Sequence, residues 1–308
     1  MEPVPGAGAP ESVQSTSCSN CGSPLHASDQ FCEQCGTQLT EAPPPGGRQA
    51  GDRVELDLSV AAAVSDRGLV HSRNEDSFFL RVLAPGSVAA VVCDGVSSAS
   101  AGNVAARRAT AAAGAILEQA GTDWDGDASA LTVKAIEAAR DAVAAVPWTT
   151  RVRRVDPSCT LVSALCRAGE IVVGWAGDSR AYWIDAQDTR QLTVDDSFAE
   201  EGIAAGALTA EQAARSPFLH AITYWVGDKA PARPPRVVAV RPEGPGRLVL
   251  CTDGMWNYAA TTAALRELVD TVPEGSSSMA VARALTDAAL MQGGNDNITV
   301  AVVDFTSA

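Results

Sequence analysis

Two short apolar runs, VAAVVCDG at 88–95 and RLVLCTDG at 247–254, each end on an Asp-Gly pair. Bounded apolar runs of this length suit buried strands, and a buried strand needs other elements packed over it. The Ala-rich segments 101–120, 128–146 and 277–291 have the length and propensity of helices and are expected to cover the sheets. VELDLSVAAAV at 54–64 reads as a strand. TLVSALCRA and EIVVGWAG are strands joined by a tight turn, and RAYWI follows GDS, which together predict an antiparallel meander. NITVAVVDF closes the chain as an expected central strand, and EEGIAAGALTAEQAA at 200–214 reads as helical.

At 308 residues, with 46% hydrophobic and 19% charged side chains, the chain can bury a sizeable core as one large domain or two ordinary ones. The formal net charge of −14 leaves no basic surface to neutralise many phosphates, so nucleic acid is not an expected partner. No stretch approaches the roughly 20 apolar residues of a membrane span, and MEPVPGAGAPES lacks the basic and apolar regions of a signal peptide. A cytoplasmic location is expected. Cys93, Cys159, Cys166 and Cys251 sit in apolar surroundings, which suits buried free thiols in a reducing compartment.

The clearest internal repeat is CSNCGSPLHASDQFCEQCG at 18–36. Two Cys-x-x-Cys turns each present two thiolates, and a tetrahedral zinc ion needs four soft ligands. Cys18, Cys21, Cys32 and Cys35 are therefore expected to hold one structural zinc, which folds a module too small for its own core. An iron–sulfur or redox site is the minor alternative. The segment resembles the zinc ribbons at the ends of many bacterial regulatory proteins, which implies an adaptor that docks a protein partner or anchors the chain. There is no Lys or Arg between Cys18 and Cys35, which argues against nucleic-acid binding by the ribbon. The expected organisation is a flexible N-terminus at 1–17, the ribbon at 18–36, a Pro/Gly-rich linker at 37–52 and a second domain at 53–308.

That second domain carries five Asp motifs: RNEDS at 73–77, CDG at 93–95, GDSR at 177–180, TDG at 252–254 and GGNDN at 293–297. Singly, an Asp-Gly after a strand is most often a turn. Together, carboxylates at strand ends can converge on hard divalent cations, and two such ions can acidify a water toward hydroxide and set it in line with phosphorus. The motifs SDRGLVHSRNEDS, VVCDGVSSASAG, GWAGDSRAYW, LTVDDS, LVLCTDGMW and GGNDNITV, in that order, resemble the protein phosphatase 2C family of bacterial type over 54–308.

The resemblance implies an α+β fold, a four-layer αββα sandwich of two antiparallel sheets flanked by helices. It implies hydrolysis of phosphoserine and phosphothreonine in proteins by a hydroxide between two manganese or magnesium ions, opposing a Ser/Thr kinase in signalling. Asp94 would bridge the two metals, with the Gly95 carbonyl at the second. Asp253 and Asp296 would complete the first, and Asp94, Asp253 and Asp296 are the expected catalytic set. Glu75 and Asp76 fall at the second metal, and Asp178, with Asp253, at a third and weaker one.

This chain also departs from that pattern. His71 stands where an arginine commonly grips the substrate phosphate, so His71, Arg67 and Arg73 are the candidate phosphate ligands. Ser97 and Ser98 replace two glycines, Asp196 stands where His is frequent, and HAITYWVGD lacks the arginine usual after Ile-Thr. Residues 196–228 correspond to a variable flap. Tyr224 and Trp225 within it are expected to pack under the flap, with substrate contact the rarer use. RVRR at 151–154 reads as a solvated loop.

Three rival readings remain, one of which makes the ribbon a nucleic-acid binder with the second domain secondary, against which its lack of Lys and Arg already argues. A pseudophosphatase would keep the fold and bind or scaffold phosphoproteins, but Asp94, Asp253 and Asp296 are all present. A two-metal phosphodiesterase would require a basic groove that this acidic chain lacks. None of the three His residues lies in a Ser-His-Asp order, and Cys93 and Cys251 read as core residues rather than nucleophiles.

Overall fold

The computed structural model describes residues 16–17, 24–25, 51–84, 86–121, 125–148, 155–167, 169–216, 218 and 221–306. The chain divides into two compact units, Met1–Pro44 and Pro45–Ala308. In the first, β1 (Thr16–Ser17) pairs antiparallel with β2 (Pro24–Leu25), with Thr16 opposite Leu25. Cys18, Cys21, Cys32 and Cys35, residues 37–50 of the expected linker and the RVRR segment lie outside the described residues.

The second unit opens with β3 (Arg53–Asp57) and β4 (Ala61–Asp66), where one strand over 54–64 was expected. Ser59 breaks it by adopting a φ of 67°. Its N–H donates to the Asp57 carboxylate at 2.8 Å, and Leu58 N–H donates to the Ala61 carbonyl at 2.8 Å, which closes a hairpin that no glycine announces. Next come β5 (Ser77–Ala84), β6 (Ser87–Cys93), α1 (Gly102–Leu117), α2 (Ala128–Ala144) and β7 (Ser158–Cys159). They are followed by β8 (Leu161–Arg167), β9 (Glu170–Ala176), β10 (Arg180–Ile184), β11 (Thr189–Gln191), α3 (Phe198–Ala204), α4 (Ala210–Ala214) and β12 (Val226–Gly227). The chain ends with β13 (Arg236–Val240), β14 (Gly246–Cys251), α5 (Asp253–Trp256), α6 (Thr262–Asp270), α7 (Ser278–Met291) and β15 (Ile298–Phe305).

Among the described residues two large antiparallel sheets result, ordered β13-β9-β8-β6-β5 and β11-β10-β14-β15-β4-β3, with β12 and β7 paired as a separate two-stranded sheet. β8 and β9 form the expected hairpin, but β10 does not continue the meander: it pairs with β14 in the other sheet. Gly177, at φ 105°, lets the chain leave β9 sharply enough to cross over. β15 lies between β14 and β4, a central strand as expected. The expected helix over 200–214 is two short helices, α3 and α4, parted by a turn at Gly206 with φ 67°.

Alternation along each strand sorts side chains into three cores. On β6, Ala89, Val91 and Cys93 face α1 and α2, whereas Val88, Ala90 and Val92 face the other sheet. On β15, Ala301 and Val303 join the core between the sheets, whereas Val300 and Val302 pack with Leu285 of α7. Burial on both faces explains why these strands read as unbroken apolar runs rather than alternating ones. Each fully buried leucine or valine stabilises the fold by about 1.5–3 kcal/mol relative to exposure. Side-chain caps fix the helix starts: Asp127 accepts the Ser129 and Ala130 amides, and Ser277 accepts that of Ala280. No helix among the described residues is long and apolar enough to cross a membrane.

Candidate active site

Strand register carries the five Asp motifs to matching sheet ends. Ser77 opposite Cys93 sets Glu75 and Asp76, before β5, beside Asp94, after β6. In the other sheet Cys251 is opposite both Arg180 and Val300, so Asp253, Asp178 and Asp296 follow from adjacent strand ends.

Side chains that sequence reasoning left without a role hold these loops together. The Asn297 amide oxygen accepts the Glu75 N–H at 2.7 Å, and its NH₂ donates to the Arg67 and Arg73 carbonyls at 2.7 and 3.0 Å. The Thr252 hydroxyl donates to Asp76 Oδ2 at 3.0 Å. Thr160 and Ser179 share a hydroxyl bond of 2.7 Å, and Trp256 Nε1 donates to the Asp178 carbonyl at 2.9 Å. The available signal was positional, since Asn297, Thr252 and Ser179 each adjoin a candidate ligand. Two glycines are required by close approach: a Cβ on Gly95 would meet Gly102 backbone at 2.5 Å, and one on Gly254 would lie 2.0 Å from the Asn297 carbonyl oxygen.

Electrostatically the carboxylates oppose one another. Burial, with Asp296 and Asp253 nearby, pushes Asp76 up to about 7 against the pull of the Thr299 and Thr252 hydroxyls. Burial and Asp296 likewise raise Asp253 to about 7, partly offset by a hydrogen bond with Asp94. Asp94 is held well above the carboxylate range by burial and then by Asp76, Asp253, Asp296 and Asp178. Burial, Asp253 and Asp195 raise Asp178 in the same way. Glu75 is raised by burial despite its ion pair with Arg73.

No three His, Cys, Asp or Glu side chains among the described residues are drawn together as a ready ligand set. What favours a cation is the chemistry of the group. Asp76 Oδ1 and Asp253 Oδ1 are buried oxygens with no hydrogen-bond donor, amid carboxylates whose charges raise the cost of ionisation by more than the Asp94–Asp253 hydrogen bond offsets. Hard divalent ions fit such an all-oxygen set.

The three candidate phosphate ligands are each engaged with an acid. His71 Nε2 is 3.1 Å from Asp296 Oδ1, Arg67 Nε is 3.0 Å from Asp52, and Arg73 Nη2 is 2.5 Å from Glu75. Arg67 also donates to the His71 carbonyl. Arg73 is the most solvent-exposed of the three, at 56% of its side chain. Tyr224 is used for packing: it is buried, its hydroxyl donates to the Arg233 carbonyl at 2.9 Å, and the Arg233 guanidinium covers its ring at 4.3 Å. Cys93 and Cys251 are fully buried free thiols pushed up by burial, which leaves them protonated and unfit as nucleophiles.

Residues 69–288 match the family described as protein phosphatase 2C. The serine/threonine protein phosphatase PstP of Mycobacterium tuberculosis (strain ATCC 25618 / H37Rv) is 31% identical over 263 residues, covering 82% of this chain. The match spans only 46% of the length of PstP. The serine/threonine phosphatase Stp of Listeria welshimeri is 27% identical over 256 residues, 78% of this chain and 93% of that protein. Among solved structures, the catalytic domain of PstP in complex with two manganese ions superposes with a TM-score of 0.63 at 28% identity, covering 80% of this chain and 98% of that one.

Proposed function

Because the chain belongs to the protein phosphatase 2C family, we propose that it hydrolyses phosphoserine and phosphothreonine in proteins, using two manganese or magnesium ions. The observation that carries this reading is the convergence of Asp76, Asp94, Asp178 and Asp253 as mutually repelling carboxylates, two of them with donorless buried oxygens. Asp94 would hold both ions, with the Gly95 carbonyl joining it at the second. Asp253 and Asp296 would serve one, and Glu75 and Asp76 the other. Asp178 would share a third, weaker ion with Asp253.

When bound, the two ions supply acidification of an attacking water and charge stabilisation on the phosphoryl oxygens. The chain's own residues hold that arrangement still. Asn297 ties the Glu75 loop to the Asp296 loop, Thr252 orients Asp76, and Trp256 fixes the backbone at Asp178. One P–O bond to water forms and the P–O bond to the serine or threonine oxygen breaks, releasing phosphate and the free hydroxyl. No covalent enzyme intermediate is needed. His71, Arg67 and Arg73 are the candidates to orient the phosphate, with exposed Arg73 the readiest to exchange its carboxylate partner for substrate.

The N-terminal cysteines Cys18, Cys21, Cys32 and Cys35 form a structural zinc ribbon at 18–36, which docks a protein partner or anchors the chain ahead of a catalytic domain at 53–308. The chain works in the cytoplasm against a Ser/Thr kinase. The substrate assignment is tested by phosphate release from phosphoseryl, phosphothreonyl and phosphotyrosyl peptides and from a phosphodiester. Manganese-dependent turnover of the first two is expected, and preference for the diester would contradict the assignment. Elemental analysis should find one zinc per chain, lost on Cys32→Ser.

A further inference from the structure

Asp196 has no solvent-exposed surface, yet its polar atoms all have partners. Its Oδ2 accepts the Gly177 N–H at 2.9 Å. Its Oδ1 takes Arg233 Nη2 at 2.6 Å and Arg236 Nε at 2.9 Å. Its backbone N–H donates to the Gly177 carbonyl at 2.9 Å, and its carbonyl accepts the Thr223 N–H at 2.7 Å. Arg233 extends the cluster to Glu201 of α3 at 2.9 Å, and Glu201 also accepts the Thr223 hydroxyl at 2.7 Å.

These bonds join three stretches far apart in sequence. One is the turn at Gly177, whose next residue is Asp178. The second is the start of the 196–228 segment, and the third is its far end with the entry to β13. Neighbouring Asp195 braces the same turn from its other side by gripping Arg180, with Nη2 to Oδ2 at 2.7 Å, while the Arg180 guanidinium lies 3.6 Å from the Trp256 ring centre. A buried carboxylate without its cations is costly, so the arginines and the Gly177 amide must stay in place while Asp196 is ionised.

Resting on the phosphatase reading above, we propose that Asp196 is a positioning residue: it sets where the Gly177 turn presents Asp178, and it clamps both ends of the 196–228 segment to that turn. It acts through the Gly177 amide and the two arginines rather than by touching substrate. Asp196→Asn keeps the shape, removes the charge and turns an NH₂ toward a cation or the Gly177 N–H.

Two measurements on the full chain test this. The first is amide hydrogen exchange of the metal-free protein. In Asp196→Asn, exchange across 174–180 and 221–236 should accelerate roughly tenfold or more, while 248–251 and 298–305 stay at the wild-type rate. Uniform acceleration, or none, would overturn the proposal. The second is a double-mutant cycle with manganese and p-nitrophenyl phosphate, a substrate with no peptide to contact the flap. Asp196→Asn combined with Asp178→Asn should lose no more kcat/KM than Asp178→Asn alone, and multiplicative losses would overturn the proposal. With a phosphothreonyl peptide, Asp196→Asn should also raise KM, on the order of threefold or more. If Asp196→Asn does not fold, Arg236→Gln, which leaves Arg233 in place, carries both tests. An inactive wild type would instead overturn the phosphatase reading on which the proposal stands.

Discussion

The His71 imidazole lies 3.1 Å from the Asp296 carboxylate, so the side chain at the position where the family's arginine is expected is committed to a proposed metal ligand. Histidine offers one donor in that direction, whereas arginine offers several in a rigid fork. His71→Arg should therefore keep a bond to Asp296 and add one to phosphate. KM for a phosphothreonyl peptide should fall several-fold, on the order of three- to tenfold, with kcat little changed. An unchanged KM would confine His71 to holding Asp296.

The raised carboxyls make metal-free stability fall with pH. Asp76 and Asp253, near 7 in the fold, retain protons that an unfolded chain has already released above about pH 4. The folded state then binds more protons than the unfolded, so stability declines as pH rises through that window and the full penalty is present above pH 7. Manganese needs ionised ligands and offsets the same repulsion. The rise in Tm on adding manganese should be larger at pH 8 than at pH 5.5, measured by differential scanning calorimetry. The opposite order would show that these groups do not bind the ion.

Gly254→Ala should destabilise the fold itself. Its Cβ would sit 2.0 Å from the Asn297 carbonyl oxygen, and backbone of β15's approach cannot give way as a flexible side chain can. Urea unfolding should show a loss of about 3 kcal/mol or more. Gly244→Ala, where a Cβ would meet nothing within 4 Å, should fall within about 0.5 kcal/mol of wild type.

Much of the architecture was legible because the strands are buried on both faces, and β6 and β14 lead into an Asp-Gly pair. The apolar runs at β6, β14 and β15 therefore stood out, and the Ala-rich helices α1, α2 and α7 with them. What stayed hidden depended on single backbone angles or distant pairs. The β3–β4 hairpin turns on Ser59 at φ 67°, in a segment with no glycine or proline to mark it. β10 left its expected meander because its partner, β14, lies far along the chain. α6, capped by Thr261, was not singled out. The carboxylates were visible as motifs, but Asn297 and Asp196 were not visible as organisers. Their partners are backbone amides and arginines separated from them by up to hundreds of residues, and Arg233 and Arg236 sit in the proline-rich stretch PARPPR.

Phosphoester hydrolysis by this chain is proposed to depend on divalent ions held by Asp94, Asp253 and Asp296. The most direct test is a manganese titration of phosphothreonyl-peptide hydrolysis by the wild type and by Asp253→Asn, with the fold of each checked by circular dichroism. The wild type should be inactive with a chelator and activated saturably by manganese. Asp253→Asn should lose on the order of a hundredfold or more in kcat/KM and need more manganese for what remains. Wild-type turnover that persists in the chelator, or a folded Asp253→Asn with wild-type activity, would contradict the account.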